Sequence, residues 1–303
     1  MKHKVAITTT SFAEHDTIPI NLLVEKGFEV ISNTFRRRLN KKETLEVCSG
    51  CVGIIAGTEI YDIEILEKLK GVKVISRCGV GMDSVDIGAA NKLGIEVFNT
   101  PDAPTLAVAE LTVGLILNLL RKINQMDSVI GNSRWEKLMG NLLNEKKVGI
   151  IGFGRIGQKV AMLLHPFNCE IRYCDIRTDD RELMAKKVEF DELLKISDII
   201  SIHVSSNVQI IGEREIKMMK KGGWLINASR GMTVDENALY HALRSGYLSG
   251  AAMDVFEKEP YSGMLTELDN VILTPHIGSY AKESRVKMEI EAVENLLKGL
   301  GNS

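Results

Sequence analysis

Short β-branched runs alternate with longer helical stretches from the start of the chain. Val5 to Thr8, Glu29 to Ser32, Gly53 to Ala56, Val72 to Ser76 and Glu96 to Phe98 read as strands, with helices between them. Thr17-Ile18-Pro19 opens the first helix and Gly27 closes it; Asp62 to Leu69 repeats the pattern and stops at Gly71. A second alternation starts at Lys147 to Gly152. It continues through Glu170 to Asp175, Asp198 to His203, Trp224 to Asn227, Gly250 to Asp254 and Val271 to Leu273. Strands separated by helical crossovers predict parallel sheets, so the chain reads as α/β with two doubly wound units. Between them, Thr105 to Ile130 carries no proline and is apolar almost all round from Leu106 to Leu120. It predicts one buried helix of about 40 Å at ~1.5 Å per residue, lying between the domains. Tyr280 to Lys298 puts Val286, Ile290, Val293 and Leu297 on one face of a last helix, with Ser279 before it and Gly299 after it as boundary signals.

Composition narrows the function classes. The 303 residues, 45% of them hydrophobic, can build a sizeable core, and their length favours two domains. A net charge of -2 offers no bulk attraction to nucleic acid or to an anionic membrane. Arg36 to Arg38 with Lys41 and Lys42 is the one basic run, and Glu43 and Glu46 beside it mark a solvated surface. The apolar run after Met1-Lys-His-Lys is too short for an export signal, and Leu111 to Leu120 is too short to span a bilayer. Five cysteines, an odd number in a chain of this size, predict reduced thiols and a cytoplasmic location. Cys48 and Cys51 have redox-pair spacing but lack the further ligands that a zinc site needs.

Gly152-Phe-Gly154-Arg-Ile-Gly157 follows an apolar strand and opens the amphipathic stretch Ile156 to Leu164. In that setting the glycines make a tight turn, admit a pyrophosphate and seat the helix on its sheet, while the helix N-terminus faces the phosphates. Asp175, 18 positions beyond Gly157 at a strand end, is placed to bind ribose hydroxyls and to repel a 2'-phosphate. NAD is therefore expected over NADP, with Arg177 two positions on as a contrary charge. Arg230, Glu259 and His276 each lie beyond a strand of the second unit, on the side where open α/β sheets meet ligands. Arginine suits a two-point grip on a carboxylate, and histidine beside a carboxylate suits proton transfer near neutral pH.

Many ordered segments together resemble the D-2-hydroxyacid dehydrogenases, nearest to the phosphoglycerate dehydrogenase branch. They are Arg77-Cys-Gly-Val-Gly81 with Asp83 and Asp86, Asn99-Thr-Pro101, Val108-Ala-Glu110, Gly152 to Gly157, Asn227 to Gly231, Gly250 to Phe256 and Pro275 to Gly278. The resemblance implies a Rossmann NAD-binding domain over 101–279 and a discontinuous flavodoxin-like substrate domain over 1–100 and 280–303. It implies hydride exchange between NAD and the carbon beside a carboxylate. Arg230 would bind substrate, His276 would be the acid/base, and Glu259 its partner. Arg77, Cys78, Gly79, Val80 and Gly81 would meet substrate. Gly152, Gly154, Arg155, Ile156, Gly157, Asp175, His203, Ala228, Ser229, Asp254 and Gly278 would meet the cofactor. The family pattern further implies a homodimer formed through the cofactor domains, while the net charge of -2 makes a nucleic-acid or membrane partner unexpected.

Three departures bear on the substrate. Ile55-Ala-Gly-Thr58 lacks the arginine that phosphoglycerate dehydrogenases use for phosphate, although Arg77 keeps a phosphate or second carboxylate open. Val204-Ser-Ser-Asn207 replaces a proline-bearing, longer loop that borders the cofactor. The end at Ser303 leaves no room for an appended regulatory domain, so serine feedback through one is not expected. The alternatives are a glyoxylate or hydroxypyruvate reductase and, from another class, an NAD-binding regulatory protein resembling the corepressors of this fold. Glu259 argues against formate dehydrogenase, which resembles this chain but carries glutamine there.

Overall fold

The computed structural model describes residues 2–177 and 185–301; Ser303 lies outside them. The chain divides into two compact units, Met1–Pro104 with Tyr280–Ser303, and Thr105–Ser279.

Among the described residues the first unit holds a five-stranded parallel sheet. Its strands are β1 (Lys4–Ile7), β2 (Glu29–Ser32), β3 (Cys51–Ala56), β4 (Val74–Arg77) and β5 (Glu96–Asn99). Their order, β2-β1-β3-β4-β5, reverses direction between β1 and β3, so the carboxyl ends of those strands flank a switch point. Each short helix is started by its own sequence: Asn40, Asp62 and Asp86 accept the third backbone N–H of the turns they open. The last helix, Lys282–Gly299, returns to this sheet, and Met288, Ala292, Leu296 and Leu297 join Val5, Ile7 and Val74 in one core. Its close seat explains two glycines: a Cβ on Gly299 would stand 2.7 Å from Val74, and one on Gly53 would stand 3.1 Å from Leu296.

The face this helix buries is only partly the expected one: Val293 and Leu297 are buried as expected. Val286 and Ile290 stay partly exposed, while Arg285 and Glu289 go inside as an ion pair with side chains 9% and 2% exposed. The Arg285 guanidinium also donates to Thr9 Oγ1 and Ser11 O, and Glu289 accepts from Ala13 N. Apolar periodicity counted the greasy positions and passed over charges that the loop after β1 satisfies. The cap is Ala281, with no side-chain bond from Ser279.

The second unit carries a seven-stranded parallel sheet among its described residues. Its strands are β6 (Lys147–Ile151), β7 (Glu170–Cys174), β8 (Lys186–Lys187), β9 (Ile199–Ile202), β10 (Trp224–Asn227), β11 (Gly250–Met253) and β12 (Val271–Leu273). The order β12-β11-β10-β9-β6-β7-β8 puts the switch point between β9 and β6. The strands β9, β10 and β11 are buried at every position, as parallel strands covered on both faces must be. The two-residue β8 gave no sequence signal.

The expected single helix from Thr105 to Ile130 is two helices, Thr105–Arg121 and Ile123–Gly131, broken at Lys122 in the left-handed region (φ 54°). The side chain of Asn118 accepts the Asn124 N–H, so a local side-chain bond replaces part of the helical ladder. The first piece packs against the Arg155–Leu164 helix and against β10, β11 and β12. Among the described residues no helix is long and apolar enough to cross a membrane.

Candidate active site

Three strand ends of the second unit meet in one constellation. β10 delivers Arg230, the loop after β11 delivers Glu259, and the loop after β12 delivers His276. His276 Nδ1 lies 3.0 Å from Glu259 Oε2, and Glu259 Oε1 accepts from Phe256 N, which fixes the carboxylate from both oxygens. Both side chains are partly exposed. The hydrogen bond to Glu259 raises the His276 pKa above the ordinary 6.5; burial and the nearby Arg230 pull the other way and are outweighed. Burial alone would raise the Glu259 carboxyl, yet the hydrogen bond and charge of His276 bring it below its usual range, and Arg230 adds to that lowering.

His276 sits at φ 55°, a left-handed backbone that a non-glycine residue adopts at a cost of about 1–3 kcal/mol when the surroundings impose it. Asp254 imposes it. This buried carboxylate, 1% exposed, accepts from Thr274 Oγ1 and Ile277 N through one oxygen and from Gly278 N through the other. Both of its oxygens thus hold the loop that carries His276. The turn at Arg230 is tied to the Glu259 loop by contact, since a Cβ on Gly231 would lie 1.9 Å from Phe256 O.

The glycine-rich turn lies after β6, where Gly152 takes φ 87° and a Cβ would stand 2.6 Å from His203 O. A Cβ on Gly157 would meet Gly152 O at 2.2 Å, whereas at Gly154 the only atom within 4 Å among the described residues is from Arg177. Helix Arg155–Leu164 begins at an extended Gly154 with no side-chain cap, and the positive end of a helix dipole there favours an anion. The carboxylate of Asp175 accepts from Phe153 N and Arg177 N and pairs with the Arg177 guanidinium at 3.2 Å. Burial would raise its pKa, but the bonds to Arg177 and Phe153 lower it. Beyond it Ile176 is fully exposed, a residue that the sequence did not single out. At the end of β9 the buried His203 bonds Ser201 Oγ through Nε2, while Nδ1 finds no partner among the described residues. Burial lowers its pKa to about 4, so it is a neutral ring with one spare polar atom. These residues fit a dinucleotide: a glycine-rich turn, an uncapped helix start, an anchored carboxylate and an orphaned polar atom.

In the first unit the Cys78 to Gly81 loop follows β4. Gly79 N donates to Thr100 Oγ1, and the amides of Val80 and Gly81 make no hydrogen bond within that unit among the described residues. Arg77 turns beneath this loop: its guanidinium donates to Cys78 O, and a Cβ on Gly79 would lie 2.6 Å from it. Arg77 is thus partly buried, with part of its guanidinium engaged by the protein. Cys48 and Cys51 are buried free thiols, and burial, the largest influence on each, raises both pKa values, which disfavours a reactive thiolate.

Comparison with known proteins agrees with this geometry. Residues 113–278 match the family described as D-isomer specific 2-hydroxyacid dehydrogenase, NAD binding domain. A glyoxylate reductase of Thermofilum pendens is 43% identical, over 79% of this chain and 75% of that protein. A hydroxypyruvate reductase of Thermotoga maritima is 41% identical, over 92% of this chain and 94% of that one. A D-3-phosphoglycerate dehydrogenase of Archaeoglobus fulgidus is 39% identical, over 93% of this chain but 55% of that protein. Among solved structures, D-lactate dehydrogenase of Aquifex aeolicus complexed with NAD and lactic acid superposes with a TM-score of 0.83 at 29% identity. That match covers 98% of this chain and 96% of that one.

Proposed function

The chain belongs to the D-isomer-specific 2-hydroxyacid dehydrogenases, NAD-dependent oxidoreductases of the CH–OH group, and on that premise we propose that it reduces a short, unphosphorylated 2-keto acid. The observation that carries the reading is the His276–Glu259 pair at 3.0 Å with Arg230 close enough to act on both charges. Arg230 grips the substrate carboxylate with its planar fork. His276, protonated, gives its proton to the carbonyl oxygen as the alcohol forms, and Glu259 stays charged to stabilise the ring and fix which nitrogen faces substrate. Bound NADH supplies the hydride. The turn from Gly152 to Gly157, with Arg155 and Ile156, would hold the pyrophosphate; Asp175 would hold ribose; and His203, Ala228, Ser229, Asp254 and Gly278 would be further cofactor contacts.

An unphosphorylated substrate is supported by the segment after β3, where Ile55 to Thr58 offers no cation and the following Glu59 is a fully buried carboxylate. The relatives named for glyoxylate and hydroxypyruvate point the same way. The first unit would bind substrate and the second the cofactor. Five free cysteines support a reducing, cytoplasmic setting, and the exposed Trp135, Met139 and Leu142 support a homodimer. Oxidation of NADH with glyoxylate, hydroxypyruvate and phosphohydroxypyruvate tests the substrate. Turnover of the first two above the third is the expected result, and phosphohydroxypyruvate as the best substrate would overturn it.

A further inference from the structure

Arg230 stands at the end of a strand whose last residue, Asn227, is completely buried. The Asn227 carboxamide uses both ends: Nδ2 donates to Arg230 O and Thr233 Oγ1, and Oδ1 accepts from Ser229 N and Ser229 Oγ. The Thr233 hydroxyl, also completely buried, passes its own proton to Arg230 O at 2.6 Å, and Thr233 N reaches the same oxygen at 3.2 Å. The Arg230 carbonyl therefore receives donors from Asn227 Nδ2, Thr233 Oγ1 and Thr233 N, which sets the plane of the Arg230–Gly231 peptide. Gly231 is pressed against Phe256 O, so that plane cannot turn away. A side chain that must meet a carboxylate with two parallel bonds depends on a backbone held this firmly.

We propose that Asn227 and Thr233 are positioning residues for Arg230, aiming its guanidinium at the substrate carboxylate through the Arg230 carbonyl. The inference rests on reading Arg230 as the carboxylate grip. Asn227→Asp removes both donors and buries a charge, so it endangers the fold; Thr233→Val, which swaps a hydroxyl for a methyl, is the cleaner probe.

The experiment measures kcat/KM for glyoxylate at saturating NADH, with the thermal midpoint, for Thr233→Val, Thr233→Ser, Arg230→Lys and the Thr233→Val/Arg230→Lys pair. Thr233→Val should lower kcat/KM by about 10- to 100-fold, the scale of a misplaced positioning group. Thr233→Ser, which keeps the hydroxyl, should restore most of it. In the Arg230→Lys background Thr233→Val should add little, because its effect travels through a fork that is no longer there. A loss that adds in full to that of Arg230→Lys, or a Thr233→Val enzyme with parental kcat/KM, overturns the inference while leaving Arg230 as the grip. Near-parental activity of Arg230→Lys alone removes the reading of Arg230, and the positioning role falls with it.

Discussion

His276 combines a left-handed backbone, held by Asp254, with a hydrogen-bonded carboxylate partner, and the two have separate consequences. The backbone sets where the ring stands; Glu259 sets its charge. Because the folded pKa is raised above 6.5, the protonated ring is complete below that value and is lost as pH rises through the higher one. Reduction needs the proton and should fall over that rise, while oxidation should grow over the same range. Glu259→Gln removes the largest raising influence and leaves burial, which lowers, so the fall in reduction should begin at lower pH than in the parent. Initial rates against pH check this, and an unmoved or upward-shifted profile would dissolve the pairing. His276→Ala should cost about 10² to 10⁴ in kcat with NADH binding retained, as titration of NADH fluorescence can show. Arg230, Glu259 and His276 stood out as candidates because each lies just beyond an apolar run, but the roles proposed for them came from the family resemblance. Asp254 was expected only as a cofactor contact, and the bonds that Asn227, Thr233 and Asp254 make were not legible, since a buried polar side chain shows its hydrogen-bond partners only once the chain is folded.

Elements were legible where one local signal dominated. Trp224–Asn227 and Glu29–Ser32 stand where apolar, β-branched sequence put them, and proline, asparagine or aspartate marks several helix starts. The break at Lys122 was hidden because the sequence around it lacks the proline or glycine that would mark a helix end; the cause is one carboxamide, Asn118, competing for a backbone amide. The last helix was hidden differently. Its buried face includes Arg285 and Glu289, whose 2.8 Å pair is satisfied by the loop of Thr9, Ser11 and Ala13 from the far end of the chain. Burial is the main influence on Glu289 and raises its pKa despite Arg285, so this pair is held against a desolvation penalty. Removing one partner strands the other. Arg285→Met should cost about 3–5 kcal/mol in denaturant unfolding, and Arg285→Met with Glu289→Leu should cost less than the single change. A double variant weaker than either single one would show that the pair itself stabilises this element.

At the scale of the molecule, alternation of strand and helix foretold two parallel sheets but not their orders, because the direction of each crossover leaves little trace in local sequence. The observed orders put switch points beside Gly152 to Gly157 in one unit and beside the ends of β1 and β3 in the other, so fold and candidate site share an origin. What such a sheet does not consume is the surface around the Ile123–Gly131 helix and the segment after it. There Ile123, Ile130, Trp135, Met139 and Leu142 are all at least half exposed, with Trp135 at 85% and Met139 at 88%. An ordinary monomer does not gather large apolar side chains over so short a stretch, and burying them at ~25 cal/mol per Å² would favour association. Light scattering of the parent at micromolar concentration should therefore give about twice the chain mass. Trp135→Glu combined with Met139→Glu places charge in the middle of that patch without touching a core position, so it should yield monomers whose circular dichroism matches the parent. A parent that is monomeric at that concentration would remove the dimer, and a double variant that stays dimeric would move the interface elsewhere on the surface.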